Sequence, residues 1–283
     1  MKIRLVCAMA LLVMMFAPSS ASAQNGGNFR VLSYNVLEGF RKDPAQMDRF
    51  VEWVKQKDPD LIFYQEMNGF TQVKLEQLAH RFGHPYAVLS KTAGYPVALS
   101  SKYPIVDVQK VVDNMWHAYI TADVHGYKVV AIHLSPHQVV KRRQEMDELL
   151  YRISLFPKGS KVIFAGDFNS FNAHDGAGIT DDQLAKLKEV EERRPEVRNL
   201  WEGKPDFSVT AKVEKAGMVD AYRLERGKSR PDYAKNHPQN ARRIDYIWVS
   251  ANLRPRVKNC DFVYDDVTKD LSDHHPLIMD LRP

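Results

Sequence analysis

The sequence is poor in cysteine, with only Cys7 and Cys260 in 283 residues. Cys7 falls in an apolar stretch near the start. Past that stretch a single thiol remains, so an internal disulfide framework is excluded, and Cys260 is read as a small buried hydrophobe. No cysteine and histidine cluster has zinc spacing. No apolar run reaches the ~20 residues that a spanning helix needs. The longest, Val6 to Ala17, lies behind Lys2 and Arg4 and ahead of Ala21-Ser22-Ala23. That order predicts a secretory signal peptide over residues 1–23, cut before Gln24, leaving a secreted or periplasmic protein with no stable membrane anchor.

Net charge is small too, with 40 Lys and Arg against 35 Asp and Glu. The formal net charge is +5, and the leader's Lys2 and Arg4 contribute two of those charges. A broad nucleic-acid platform carries a stronger basic bias. Lys141-Arg142-Arg143, Arg193-Arg194 and Arg242-Arg243 are therefore read as solvated faces. No repeat, low-complexity tract or linker divides residues 24–283, which are expected to form one domain with a sizeable core and to act as a monomer.

What is present is a series of strands that end in polar residues. Phe29 to Val36 alternates as a strand, with Phe29, Val31 and Ser33 on one face, and closes on Tyr34-Asn35. Asp43-Pro44 predicts a helix start, with Met47, Phe50, Val51 and Val54 facing inward. Leu61 to Tyr64 reads as a buried strand ending in Gln65-Glu66, and Thr71 to Arg81 as a second helix. Between Pro85 and Leu134 only short apolar runs occur. His125-Gly126, a two-residue turn, predicts an antiparallel hairpin there.

Gln138 to Phe156 returns to helical spacing, with Val140, Met146, Leu149, Leu150 and Ile153 apolar. Lys161 to Ala165 is a buried strand followed by Gly166-Asp167-Phe168-Asn169. Asp182 to Arg194 is a charged, solvated helix. Trp201 to Val213 reads as irregular, with Trp201 and Tyr64 assigned to the core. Ile244 to Val249 and Asp261 to Tyr264 read as strands ahead of Ser272-Asp273-His274-His275-Pro276 and a last apolar run. The middle fifty residues leave no room for crossover helices, so an α/β sandwich accounts for the order better than a doubly wound parallel sheet.

Asp245, set between Ile244 and Ile247, is costly to bury without a partner. An imidazole is its natural one; an ion pair with Arg242 or Arg243 is the alternative. Asp273 beside His274 places a hard metal ligand next to a proton acceptor. Glu66, Asp273 and the Asn35 amide suit a hard divalent cation that keeps several waters and takes a phosphate oxygen.

In order along the chain, Ser33-Tyr34-Asn35-Val36, Gln65-Glu66, Ile132-His133-Leu134, Gly166-Asp167-Phe168-Asn169, Arg243-Ile244-Asp245-Tyr246 and Ser272-Asp273-His274 resemble the endonuclease/exonuclease/phosphatase superfamily. The resemblance spans Phe29 to Leu281. It implies a four-layer α/β/β/α sandwich of two mixed, mostly antiparallel sheets with the site at one end. It also implies metal-dependent hydrolysis of a phosphoester, with Mg²⁺ as the usual cation and Mn²⁺ or Ca²⁺ as alternatives.

By similarity, Glu66 is the main metal ligand, with Asn35 and Asp273 beside it. His274 takes the proton of the attacking water or binds the phosphate, and Asp245 orients its ring. Asp167 positions or deprotonates that water, and Asn169 hydrogen-bonds a phosphate oxygen. His133 binds the phosphate on the leaving side or protonates the leaving oxygen; as a core histidine it has neither role. Asp220 is assigned a structural role. Where some repair-type members carry an acid two residues after the first Asn, this chain has Leu37.

The expected activity is an exported phosphodiesterase or phosphomonoesterase acting on a small organic phosphate or phospholipid head group. A secreted deoxyribonuclease-I-like nuclease acting on nucleic acid is the alternative, and a catalytically silent binding domain is a third. The choice rests on loops such as Gly39 to Lys42, Thr92 to Tyr95, Ser170 to Gly178 and Arg226 to Asn240.

Overall fold

The computed structural model describes residues 27–175, 179–225 and 243–283. The leader predicted over residues 1–23, the whole 226–240 loop and Arg242 lie outside the described residues. Among the described residues, no helix is long and apolar enough to cross a membrane.

Fourteen strands among the described residues form two six-stranded sheets and one small hairpin. The first sheet contains β1 (Phe29–Asn35), β2 (Leu61–Gln65), β3 (Tyr86–Leu89), β4 (Ala98–Ser101), β13 (Val257–Phe262) and β14 (Leu277–Leu281), in the order β13-β14-β1-β2-β4-β3. The second contains β5 (Ile105–Val111), β6 (Ala118–Val124), β7 (Tyr127–His133), β8 (Val162–Asp167), β11 (Met218–Asp220) and β12 (Asp245–Ser250), in the order β11-β12-β8-β7-β6-β5. The hairpin pairs β9 (Leu200–Trp201) with β10 (Lys204–Pro205). Each six-stranded sheet has one parallel pair, β1 with β2 and β7 with β8, and is otherwise antiparallel. The sheets are mixed, as expected.

Three apolar clusters stack these sheets into layers. Val31, Phe63 and Leu99 of the first sheet meet Ile120, Val129, Ala165 and Ile247 of the second in the central one. Directly after β1 comes a short turn of helix, α1 (Leu37–Phe40). Outside the first sheet, Leu32, Tyr34 and Ile62 pack on α2 (Pro44–Lys57) and α3 (Gln72–His80). Outside the second, Val130, Ile132 and Phe164 pack on α4 (Val139–Ser154) and α6 (Ser208–Lys215). The result is a four-layer α/β/β/α sandwich. Because β1 is covered on both faces, its alternation sorts Phe29 and Val31 to the central cluster and Leu32 and Tyr34 to the outer one.

Local signals explain the helix starts. Asp43 caps α2 by accepting from the Ala45 amide with Pro44 behind it, and Thr71 caps α3 through the Lys74 amide. His125 and Gly126 both have positive φ and turn β6 into β7. A charged helix, α5 (Asp181–Arg193), has no buried residue, as its sequence predicts. Cys260 is buried, as its sequence context predicts.

Five expectations need correction, the first being Arg243, read as part of a solvated face but buried on Asp175 and Asp220. Residues 208–215 form a helix, α6, where an irregular stretch was expected; its Val209, Thr210 and Val213 are buried, an i, i+1, i+4 pattern too short to read as amphipathic. Val140 points to solvent, and α4 instead buries Val139, Arg142, Glu145, Met146 and Leu149. Trp201, assigned to the core, is exposed beneath the Arg143 guanidinium, 4.0 Å from its ring centre. Lys141-Arg142-Arg143 is no solvated face. Arg142 is buried on the Ser135 carbonyl and Asn199, Arg143 pairs with Asp206, and Lys141 donates to the Asn114 carbonyl.

The end of β8 is tightly constrained. Gly166 has φ +144°, and a Cβ there would collide with the Ile132 carbonyl oxygen of the neighbouring strand. Gly166→Ala is expected to cost roughly 3 kcal/mol or more, as strain and overpacking add. Denaturant unfolding measures this directly; a loss within experimental error would refute the tight approach of β7 and β8.

Candidate active site

Register places three polar residues side by side at the end of the second sheet. The parallel pairing of β7 with β8 sets His133 beside Asp167, and the antiparallel pairing of β8 with β12 sets Asp245 on its other side. His133 and Asp167 end their strands, and Asp245 begins its own. Two buried carboxylates in adjacent strands repel. His274, from the loop before β14, relieves this. Its Nδ1 lies 2.7 Å from Asp245 Oδ2 and its Nε2 3.7 Å from Asp167 Oδ2.

The pair has electrostatic consequences. Burial disfavours charge on His274, but Asp245 and Asp167 outweigh it and raise the imidazole well above its ordinary range. Burial pushes Asp167 up, while the charge of His274 and hydrogen bonds from Asn169 and Asn35 pull it back. Among the described residues, the Asp245 partner is thus an imidazole. Arg243 instead pairs with Asp175 and Asp220, and its guanidinium lies over the rings of Tyr222 and Tyr246.

The first sheet contributes from the facing side. Asn35 ends β1, and its Nδ2 donates to Asp167 Oδ2 at 3.2 Å and to Glu66 Oε1 at 3.1 Å. Glu66 follows β2 with φ +62°, and its Oε2 accepts from the Glu38 amide at 2.9 Å. Ser272 fastens the His274 loop: its hydroxyl donates to the Asn35 carbonyl at 2.7 Å and accepts from the His274 amide at 3.1 Å. Asn169, at φ +46°, donates its amide to Asp167 Oδ1 at 2.8 Å and one side-chain N–H to the Leu134 carbonyl at 3.1 Å. Its second side-chain N–H is what it can offer a ligand. Asp273, next to His274 in the chain, is exposed.

Asp167 Oδ2 is therefore a meeting point for Asn35, His133 at 3.4 Å, and His274. Among the described residues, Asp167, Asp245 and His274 form the group whose ligand atoms all lie within 4.8 Å of one another. Its His274 Nδ1 is already engaged by Asp245, so it reads as a charge-balanced relay as much as a cation cage. Glu66, half-buried with one hydrogen bond on each oxygen, and the Asn35 side-chain oxygen offer hard donors at its edge. That oxygen-rich set fits a hard divalent cation.

Sequence reasoning missed Glu38 and His117, and offered Arg243 only as a solvated residue or a partner for Asp245, although it pairs with Asp175 and Asp220. Leu37 removes the acid two residues after Asn35, yet Glu38 reaches the same neighbourhood. Residues 37–42 all have positive φ, which swings its amide onto Glu66 and its carboxylate toward the Tyr95 hydroxyl at 3.3 Å. His117 stacks on His133, ring centres 4.1 Å apart. Neither carries a motif. A buried arginine before an aspartate, as in Arg243, is visible only from its partners.

Comparison with known proteins agrees with this geometry. The Endonuclease/Exonuclease/phosphatase family model matches residues 32–274. A solved AP endonuclease from Archaeoglobus fulgidus is similar over 89% of this chain and 98% of its own, at 20% identity and TM-score 0.65. A variant of the 3' phosphatase NExo from Neisseria, bound to product DNA hairpin, is similar over 89% and 99%, at 16% identity and TM-score 0.64. A third, an endonuclease/exonuclease/phosphatase from Beutenbergia cavernae DSM 12333, covers 90% of this chain and 72% of its own, at 18% identity and TM-score 0.61. No curated protein matches by sequence.

Asp245→Asn is expected to bring the His274 imidazole down toward its ordinary range in metal-free protein, read by nuclear magnetic resonance titration of the ring. An unchanged titration would show that Asp245 does not hold its charge. A pKa raised in the fold gives stability that is complete below the unfolded value of about 6.5. That stability is lost as pH rises through the raised value, and the variant should flatten the loss.

Proposed function

The chain belongs to the Endonuclease/Exonuclease/phosphatase family of metal-dependent hydrolases acting on phosphoester bonds, and from that membership we propose an exported, Mg²⁺-dependent phosphoesterase for small organic phosphates or phospholipid head groups. One observation carries the reading. Asp167 Oδ2 gathers Asn35 from one sheet, His133 from the other, and His274 from the loop before β14.

The roles follow from charge and position. Glu66, with Asn35 and Asp273, would hold the cation, which when bound neutralises a phosphate oxygen and lowers the cost of charge building up there. Asp167, pushed up by burial, accepts the proton of the attacking water as its oxygen bonds phosphorus. His274, kept charged by Asp245, holds a phosphate oxygen and steadies charge on the pentavalent state. His133 is held well below its ordinary range, first by burial and then by the charges of its neighbours. It therefore offers a hydrogen bond to the leaving oxygen, and solvent supplies the proton. Asn169 turns its remaining N–H to a non-bridging oxygen. The leader predicted over residues 1–23 supports export.

A nuclease is the second reading, favoured by the DNA bound in one similar structure. Of the basic clusters that would support it, Lys141-Arg142-Arg143 is engaged within the protein, while Arg193 and Arg194 make exposed surface pairs. Lys141, Arg142 and Arg143 have partners, Arg193 pairs with Glu189 and Arg194 with Glu196.

Chelation should abolish hydrolysis and Mg²⁺ restore it. His274→Ala should lower kcat by roughly 10²–10⁴-fold, the range for a group acting in the transition state. A substrate panel of sugar phosphate, phospholipid, inositol phosphate and plasmid DNA decides the class. Plasmid cleavage that falls steeply with salt would favour the nuclease, and a metal-loaded protein inert on all four would end the proposal.

A further inference from the structure

Beside His133 lies a group of side chains that the roles above leave unused. His117 is 4% exposed and His133 2% exposed, and their rings stack at 4.1 Å and 27°. His117 Nε2 and His133 Nδ1 are both buried without a hydrogen-bond partner. A buried polar atom left unpaired is costly. Two such atoms on adjoining rings at the edge of a site suit a ligand that supplies what they lack. Lys91, half-buried, has no ion pair or hydrogen bond among the described residues, and its charge acts on both rings.

Tyr95 tilts over His117, ring centres 5.3 Å apart, and its hydroxyl donates to Glu38. Glu38 in turn donates its amide to Glu66. A chain of contacts thus runs from Glu66 through Glu38, Tyr95 and His117 to His133, and back through Asp167 and Asn35. Burial, with the nearby charge of Lys91 and His137, holds His117 down to about 3, so it is a neutral ring at working pH. A lysine and a neutral imidazole, with no carboxylate bonded to either, match an anionic oxygen.

Resting on the phosphoesterase reading, we propose that Lys91 and His117, beside His133, form an oxyanion wall that selects phosphate monoesters. The wall holds the third non-bridging oxygen, which a monoester has and a diester replaces with a substituent. Tyr95, anchored on Glu38, closes the space that substituent would need.

The test uses the purified full chain with Mg²⁺, p-nitrophenyl phosphate, bis(p-nitrophenyl) phosphate, and calorimetric titration with inorganic phosphate. Wild type should prefer the monoester. Lys91→Met and His117→Phe should each raise KM for the monoester and lower kcat/KM about tenfold or more, the scale of a lost charge-assisted hydrogen bond. Diester turnover should change less than about twofold, and phosphate binding should weaken in parallel with monoester kcat/KM. Lys91 lies near the surface, so its variant decides the matter if His117→Phe fails to fold.

Equal loss on both substrates, no loss on either, or a wild-type preference for the diester overturns the wall. If wild type hydrolyses neither ester and is also inert on the sugar phosphate, phospholipid, inositol phosphate and plasmid DNA, the phosphoesterase reading falls. The wall then survives only if inorganic phosphate still binds in a Lys91-dependent manner, and is overturned if it does not.

Discussion

Everything at the site depends on how one buried carboxylate is kept. Asp167 lies at the end of a central strand, with an apolar core beneath it and a second acid, Asp245, in the adjoining strand. Such a group is tolerated only when donors reach it. Its donors come from three separate parts of the chain: Asn35 from the first sheet, Asn169 from its own turn, and His274 from the loop before β14. The two sheets must therefore stack with these strand ends in line. The requirement that satisfies Asp167 is the same one that assembles the site.

His274 is what makes two neighbouring acids tolerable. Set between Asp245 and Asp167, it replaces a repulsion with two attractions, and Ser272 fixes its backbone to the end of β1. Buried ion pairs of this kind contribute little net stability, because desolvation offsets their attraction. Removing one partner is costly, since a charge is then stranded. The arrangement is better understood as fixing geometry and protonation than as holding the fold together. The three apolar clusters do that.

The parts legible in the sequence share one physical signature: a polar residue that interrupts an apolar run at a strand end. Asn35, Glu66, His133 and Asp167 all read this way, because a core strand tolerates such a residue only at its rim; Asp245, read as lying inside a strand, in fact begins one. Their order along the chain, together with Ser272-Asp273-His274, carried the resemblance and with it the four-layer fold. What escaped was set by tertiary partners. Arg142 is buried because Ser135 and Asn199 meet it, and Trp201 lies at the surface because Arg143 gives its ring a partner there. Glu38 reaches Glu66 only through a run of left-handed residues that no short motif announces. His117 precedes an apolar strand, where it looks like any strand-edge residue.

Backbone strain follows the chemistry through the molecule. Glu66, Asn169 and residues 37–42 have positive φ, and Gly166 has φ +144° at a point where the adjoining strand leaves no room for a side chain. Each non-glycine case costs on the order of 1–3 kcal/mol. Most lie where a strand must end abruptly so that the next residue can turn its side chain or amide into the cleft. Gly166 lets β8 run close against β7, which brings His133 within reach of Asp167. The turn at Asn169 aims its amide back at the same carboxylate, and the turn at residues 37–42 brings the Glu38 amide to Glu66. A relaxed backbone at these positions would carry the same residues past one another. Side chains as far apart in the chain as Asn35 and His274 converge only if each strand stops within about one residue, or ~3.3 Å, of its place. The strain is thus a condition of the site, and the large buried core is what allows the chain to bear it.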